Sequence, residues 1–357
     1  MDRDEIEVKR FLEIEIKINS IIYKAQKLGI AVDLETVKKR CEELESYIYE
    51  IKNTLQVEHE IFTPDCIETQ KNYLRKKAYS IVESLLYSFK IRRKSDIVCN
   101  LFYDLLSNQR DLDSLLLMLS RWGQTRTHPT YLGFGTITSR IILRQPSLQN
   151  LRKSNRDLII PDIGTKLIYI DYGQFEAGIL ASLSNDKHLI KLYDSDIYSD
   201  IAEKVLNNKE DRNEAKIIFY RFIYGDTTLP KNAIDYFHRF KGLQNFKMSI
   251  ENKVLLNNKV GTVNGNYRRS FDNDISWALS HVIQSTASYI YKSALIKVDQ
   301  EVKTAQLLIP MHDGTVYQLK QFNFDESKNK IEAIYKDEFK KMCPQLNPIV
   351  KIKDSFE

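Results

Sequence analysis

Leu167-Ile168-Tyr169-Ile170-Asp171-Tyr172 is a run of branched and aromatic residues that closes on an acid. Its composition predicts a buried β-strand with Asp171 at its end. A second acid has the same setting: in Leu307-Leu308-Ile309-Pro310-Met311-His312-Asp313-Gly314-Thr315-Val316-Tyr317, Asp313 occupies a turn between two apolar stretches. Between the two acids lies Arg212-Asn213-Glu214-Ala215-Lys216-Ile217-Ile218-Phe219-Tyr220-Arg221-Phe222-Ile223-Tyr224-Gly225. Arg212, Lys216, Tyr220 and Tyr224 recur at helical spacing there and share one slowly rotating face.

The rest of the composition narrows the field. A chain of 357 residues, 43% hydrophobic and 28% charged, is long enough for a substantial core and too apolar for wholesale disorder. A net charge of +5 tolerates nucleic acid without arguing for it unless the cations cluster. No apolar run reaches the roughly 20 residues of a membrane span, and Met1-Asp2-Arg3-Asp4-Glu5 lacks the apolar core of a signal peptide. Cys41, Cys66, Cys99 and Cys343 are widely spaced, with neither a CxxC pair nor metal-ligand spacing. Four buried thiols in a reducing cytoplasm are the expectation.

Residues 1–120 read as helical. Phe11, Ile14, Ile16, Ile18, Ile21, Ile22 and Ala25 form an apolar stripe that stops near Gly29, and a second helix begins at Asp33-Leu34-Glu35. Amphipathic pattern continues over 69–119. Long helices of this kind suit a scaffold and a coiled-coil partner surface equally. After Arg121 the texture changes to turns and short strands, with His128-Pro129-Thr130-Tyr131 and Gly133-Phe134-Gly135-Thr136. The strand ending at Asp171 and a helix through Phe175 and Ile179 follow. The stretch 196–275 reads as helical, then come a long helix at 276–303, the hairpin around Asp313, a helix near 326–342 and a short strand at 348–352.

The chemistry follows from residue type. Mg²⁺ takes hard oxygen ligands, and a two-metal site needs its carboxylates on rigid neighbouring elements, such as strand ends of one sheet. An Arg and a Lys one helical turn apart can grip a triphosphate, and a ring one turn further can stack on a base or sugar. Glu176, five residues after Asp171, returns over the same place if a helix starts past the strand. Each signal alone is weak, because acids close turns and basic helix faces usually meet water. Their joint occurrence in this order is what carries weight.

On these residues the chain resembles the polymerase domain of family A DNA polymerases. Asp171-Tyr172-Gly173-Gln174-Phe175-Glu176 is similar to motif A (DYSQIE), Arg212 to Gly225 to motif B (RxxxKxxxFxxxYG), and His312-Asp313 to motif C (HDE). Thr138-Ser139-Arg140 resembles TGR, Gln145 to Asn150 resembles PNLQN, Gly261 to Gly265 the turn before GRxR, and Gln284-Ser285-Thr286-Ala287 resembles QGTA. Leu28 to Asp33 resembles the GIxVD turn. The resemblance implies an α+β right hand: a helical thumb (1–120), an antiparallel-sheet palm (121–195 and 276–357) and helical fingers (196–275). It implies a template-dependent DNA polymerase using two Mg²⁺ ions, with Mn²⁺ as an alternative. Its partners would be primer-template DNA, dNTPs and replication or repair proteins, in the cytoplasm at the nucleoid and without a membrane.

Residue by residue, the resemblance makes Asp171, Asp313 and the carbonyl of Tyr172 the metal ligands. Catalysis would rest on Asp171, Asp313 and Lys216, and nucleotide binding on Arg212, Lys216, Tyr220, Tyr224, Glu176 and Gln174. Glu176 would exclude a ribose 2′-OH. Arg140, Gln149, Asn150, Gln284, His312 and Arg268 would contact DNA. Tyr220 stands where phenylalanine is commoner, so its hydroxyl is expected to substitute for a missing 3′-OH and to confer dideoxynucleotide tolerance. Departures from the family pattern are Gly314 for the third acid, Gly178 for an arginine, Arg221 for a glycine, Phe219 for Asn, Asn266 for an arginine, and Ser139 and Ser285 for glycines. The segment between Gly225 and Gly261 is short, and the chain leaves no room for a proofreading nuclease. The alternatives are a catalytically impaired protein that binds primer-template or acts as a scaffold, and a polymerase with untemplated or ribonucleotide activity.

Overall fold

The computed structural model describes residues 5–82, 84–119, 125–271 and 274–356. The change of texture expected at 121–124 and the charged first four residues lie outside these. The chain divides into two compact units, one drawn from Met1–Leu28, Tyr131–Leu143 and Pro161–Phe356, the other from Gly29–Thr130 and Arg144–Ile160.

The first unit is organised by strands β1 (Thr165–Tyr172), β2 (Ala305–Pro310), β3 (Gly314–Lys320) and β4 (Val350–Lys353), in the spatial order β4-β1-β3-β2. All neighbours are antiparallel. Register places Asp171 opposite Gly314 on one side and Lys351 on the other. Helices α1 (Phe175–Ser184), α2 (Arg212–Ile223), α3 (Ala278–Glu301) and α4 (Phe324–Met342) complete the part of this unit that bears the site. Helix α3 is rich in Ala, Ser and Thr and is buried along most of its length, which small side chains permit. An aromatic stack joins sheet to helices: the Tyr172 and Phe175 rings lie 4.3 Å apart at 10°, and the Tyr172 hydroxyl donates to the Tyr335 carbonyl at 2.8 Å.

Two expectations about secondary structure need correction. Residues 5–28 are helical, but a five-residue π-helical segment, Phe11–Glu15, interrupts them. The wider turn rotates the apolar face, so Ile14, Ile18, Ile21, Ile22 and Ala25 are buried while Phe11 and Ile16 are exposed. The stretch 196–275 is helical only to Asn257; Lys259–Thr262 and Gly265–Arg269 form an antiparallel hairpin. Its turn is Val263-Asn264, followed by Gly265 at φ 91°, chemistry that suits a hairpin and not a helix.

In the second unit Asp33 caps the helix Leu34–Val57, accepting from the Thr36 amide at 3.1 Å and its hydroxyl at 2.7 Å. That helix packs on Ile97–Leu119 through Val37, Cys41, Ile48 and Leu55, with Cys99, Phe102, Leu105 and Leu115 buried on the other helix. The Phe89 ring stacks on Phe102 at 4.8 Å. The four cysteines are free thiols, but Cys66 is exposed, at the start of the helix Ile67–Lys76, and not buried as expected. Among the described residues no helix is long and apolar enough to cross a membrane.

Candidate active site

The ends of β1 and the β2–β3 turn bring the two acids together. The Tyr172 amide donates to the Asp313 carbonyl at 3.0 Å, and the Met311 amide closes the turn onto the Gly314 carbonyl at 2.8 Å. The chain leaves β1 through Gln174 at φ 50°. The Gln174 amide group is committed to this turn: its oxygen accepts from the Ile197 amide at 2.8 Å and its nitrogen donates to the Tyr193 carbonyl at 3.1 Å. Helix α1 then begins and returns Glu176 over the acids.

Burial dominates the electrostatics here. It pushes Asp171 up to about 6, with the charge of Asp313 adding and Lys216 and Lys351 opposing. Glu176, 2% exposed, is pushed up to about 7 by burial and by Asp313, although Arg140 pulls it down. Asp313 is raised by burial against Arg140, His312 and Lys216. His312 is lowered by burial and by Arg140, with Asp313 opposing. Arg140 donates to one oxygen of Glu176. The other Glu176 oxygen and Oδ1 of Asp313 are buried and have no hydrogen-bond partner among the described residues.

Helix α2 faces this cluster. The Lys216 ammonium stands 5.8 Å from the centre of the Tyr220 ring and is felt by Asp171, Asp313 and Glu176. The Tyr220 and Tyr224 rings are 5.9 Å apart, and Gln284 stands near enough to the Tyr224 hydroxyl to lower its pKa against the rise that burial causes. Arg212 is paired with a carboxylate: Nε donates to Asp196 Oδ2 at 2.5 Å and Nη2 to Oδ1 at 3.3 Å, with the guanidinium 5.1 Å over the Tyr198 ring. The Tyr198 and Tyr220 hydroxyls lie close enough to perturb each other's titration, and burial raises both. Sequence reasoning missed Asp196, Tyr198 and Lys351. A signal existed for the first, since an Asp ahead of Ile197-Tyr198-Ser199 is a helix cap, and Asp196 accepts from Tyr198 and Ser199.

The structure therefore gathers Asp171, Asp313, Glu176, Arg140, His312, Lys216, Tyr220, Tyr224 and Gln284, with Tyr172 and Gln174 shaping the turn. For three other residues expected to contact DNA the structure shows the local setting. Gln149 (buried) and Asn150 (exposed) form the turn Leu148–Asn150 of the second unit, where Asn150 donates to the Ser147 hydroxyl at 2.8 Å. Arg268, on the hairpin strand, lies 4.0 Å over the Trp277 ring. The departures from the family pattern also have local reasons. A Cβ on Gly314 would lie 2.4 Å from the Ile170 carbonyl oxygen and 3.0 Å from Asp171 Oδ1. A Cβ on Gly178 would meet the Tyr193 ring at 2.6 Å. Arg221 turns away to Asp226 at 2.6 Å. Asn266 donates to the Ser285 hydroxyl at 2.8 Å, so two departures are partners.

Among the described residues no group of three or more His, Cys, Asp or Glu has metal-holding geometry. Two carboxylates of raised proton affinity, one of them with an orphaned buried oxygen, nevertheless suit a hard divalent cation whose remaining ligands come from substrate and water.

The architecture is that of a right-hand polymerase domain. It superposes on the POL domain of Pol1 from M. smegmatis, solved with DNA primer-template and dNTP, at a TM-score of 0.82 and 20% identity, covering 98% of this chain and 71% of that one. Similar sequences include DNA polymerase I of Helicobacter pylori strain 26695, 25% identical over 94% of this chain and 48% of that protein. DNA polymerase I of Caldicellulosiruptor bescii is also 25% identical, over 94% of this chain and 45% of its own length. DNA polymerase theta of Caenorhabditis elegans is 27% identical over 55% of this chain and 14% of its own length. The chain thus spans about half the length of the two bacterial relatives. The family model for DNA polymerase family A matches residues 22–353. The chain belongs to DNA polymerase family A.

Proposed function

We propose that this chain is the polymerase domain of a template-dependent DNA polymerase that adds dNTPs to a primer 3′-OH by two-metal nucleotidyl transfer. The observation that supports it most is the meeting of Asp171 and Asp313 beneath the Lys216–Tyr220 face of α2, in a chain of this family. In this reading residues 1–120 serve as thumb, 121–195 and 276–357 as palm, and 196–275 as fingers. The cytoplasm at the nucleoid is the setting, and replication or repair proteins are partners.

Asp171, Asp313 and the Tyr172 carbonyl would hold two Mg²⁺ or Mn²⁺ ions. The chemistry such ions would supply there is Lewis acidity, which would lower the pKa of the primer hydroxyl and offset the charge of the leaving pyrophosphate. The protein's own side chains do the rest. Lys216 supplies a point charge to the triphosphate, and Arg212 supplies a fork once the phosphates compete it away from Asp196. Tyr220 stacks on the incoming nucleotide and Tyr224 closes the template side. Glu176, held by Arg140, crowds the sugar 2′ position. Arg140, His312, Gln284, Arg268, Gln149 and Asn150 contact primer-template, largely through its backbone.

A second reading, a primer-template-binding protein without chemistry, draws on Gly314, where the close approach to Ile170 leaves no room for an acid. Extension of a labelled primer with Mg²⁺ and either dNTPs or rNTPs, beside Asp171→Ala and Asp313→Ala, separates the two. Templated dNTP addition lost in both variants supports the polymerase. Binding without extension in the wild type overturns it.

A further inference from the structure

Beneath the site, the first unit buries an ion pair that touches none of the proposed substrate groups. Lys292 on α3 is 1% exposed and Glu15, in the π-helical segment, is 3% exposed. The Lys292 ammonium donates to Glu15 Oε2 at 2.6 Å and to the Ser139 hydroxyl at 2.6 Å. Ser139 in turn donates to Glu15 Oε1 at 2.8 Å, and Arg10 donates to that same oxygen at 2.5 Å. Burying such a group is costly unless each charge is matched, and a π-helical turn interrupts the helix just where Glu15 turns inward.

What this network grips is the residue before Arg140. Ser139 sits at φ 66°, a conformation that a residue with a Cβ rarely adopts without support. Its hydroxyl is held from both sides by Glu15 and Lys292, and its carbonyl accepts from Ser288 of α3 at 2.7 Å. The Arg140 amide is fixed by the Thr136 hydroxyl at 3.0 Å, and the Arg140 carbonyl accepts from the Gly135 amide at 2.9 Å. With its backbone anchored, Arg140 reaches Glu176 and moderates the charge of Asp313.

We propose that Glu15 and Lys292 are positioning residues for Arg140: the buried pair clamps the strained Ser139 turn so that the guanidinium stays on Glu176. Its consequence for catalysis rests on the polymerase reading above; its structural content does not. Lys292→Met is the first variant, because Arg10 remains to match Glu15; Ser139→Ala, which removes only the bridging hydroxyl, is the second should Lys292→Met fail to fold.

Two measurements test the proposal. In a crystal structure of either variant, the Arg140 guanidinium leaves hydrogen-bonding distance of Glu176; an unmoved guanidinium overturns the proposal whether or not the protein extends primers. In single-nucleotide incorporation, kcat/KM falls on the order of tenfold to a hundredfold, the scale of a small misplacement of a catalytic group. The same substitution placed on an Arg140→Ala background then changes kcat/KM by less than about twofold, since the pair acts only through Arg140. An equal fall in both backgrounds, or a lowered Tm with unchanged kcat/KM, assigns the network a general structural role and refutes the inference. A wild type that extends no primer condemns the polymerase reading alone, and the crystal structure still decides this one.

Discussion

Glu176→Gln should stabilise the metal-free protein at alkaline pH and lose that advantage in acid. Folding carries the Glu176 carboxyl from its ordinary 4.5 to about 7, chiefly through burial. The folded state therefore binds this proton more tightly than the unfolded chain. Wild-type stability from this group is fully present below pH 4.5 and drains away as pH rises through 7. The difference is worth roughly 3 kcal/mol, taking about 1.4 kcal/mol per pH interval of one. A side chain with 2% exposure leaves little solvent to screen it. Glutamine cannot ionise, so the variant escapes the loss while keeping an oxygen for Arg140. Urea unfolding in EDTA, at pH steps from 4.5 to 8.5, gives the stability difference between variant and wild type directly. It should grow by roughly 3 kcal/mol toward the alkaline end, with the steepest change between the two pKa values, from about pH 5 to 6.5, and a plateau above about pH 7.5. Asp171 titrates in both proteins and cancels to first order. A difference that stays flat across the range would refute the reasoning, because it would mean that the buried, half-satisfied carboxylate costs the fold nothing.

Three further outcomes follow from the same geometry. Glu176→Ala opens the space over the sugar and should raise ribonucleotide over deoxyribonucleotide incorporation by at least about tenfold in competitive single-turnover assays; an unchanged ratio removes Glu176 as the gate. Tyr198→Phe should increase dideoxynucleotide use relative to the wild type, because it removes the neighbouring hydroxyl that acts on Tyr220 and leaves the Tyr220 hydroxyl to the nucleotide; equal ddNTP/dNTP ratios in the two proteins speak against that role. Gly314→Ala forces a methyl group to within 2.4 Å of the Ile170 carbonyl, and should cost roughly 1–3 kcal/mol of stability by thermal or urea unfolding; a variant as stable as the wild type would show that the sheet edge yields freely.

Much of this molecule was legible in its sequence, for local reasons. The apolar run into Asp171, the turn at Asp313 and the fourfold spacing of Arg212, Lys216, Tyr220 and Tyr224 each specify an element through side-chain period alone, and β1, the β2–β3 turn and α2 stand where those patterns put them. Asp33 and Gly29 marked helix ends because capping and positive φ depend on one residue at a time. The hairpin at 259–269 was misread because its strands are short and polar, and the N-terminal stripe because a π-turn shifts the face without altering composition.

What tertiary structure alone decided is which charges meet. No spacing rule joins Arg140 to Glu176, Asp196 to Arg212, or Glu15 to Lys292, pairs separated by 36, 16 and 277 residues. Each is set by how strands and helices pack, and the raised proton affinities of Asp171 and Glu176 exist only once packing has excluded water. Sequence fixes the periodicity of each element, a property of neighbours along the chain; burial and electrostatic pairing are properties of neighbours in space.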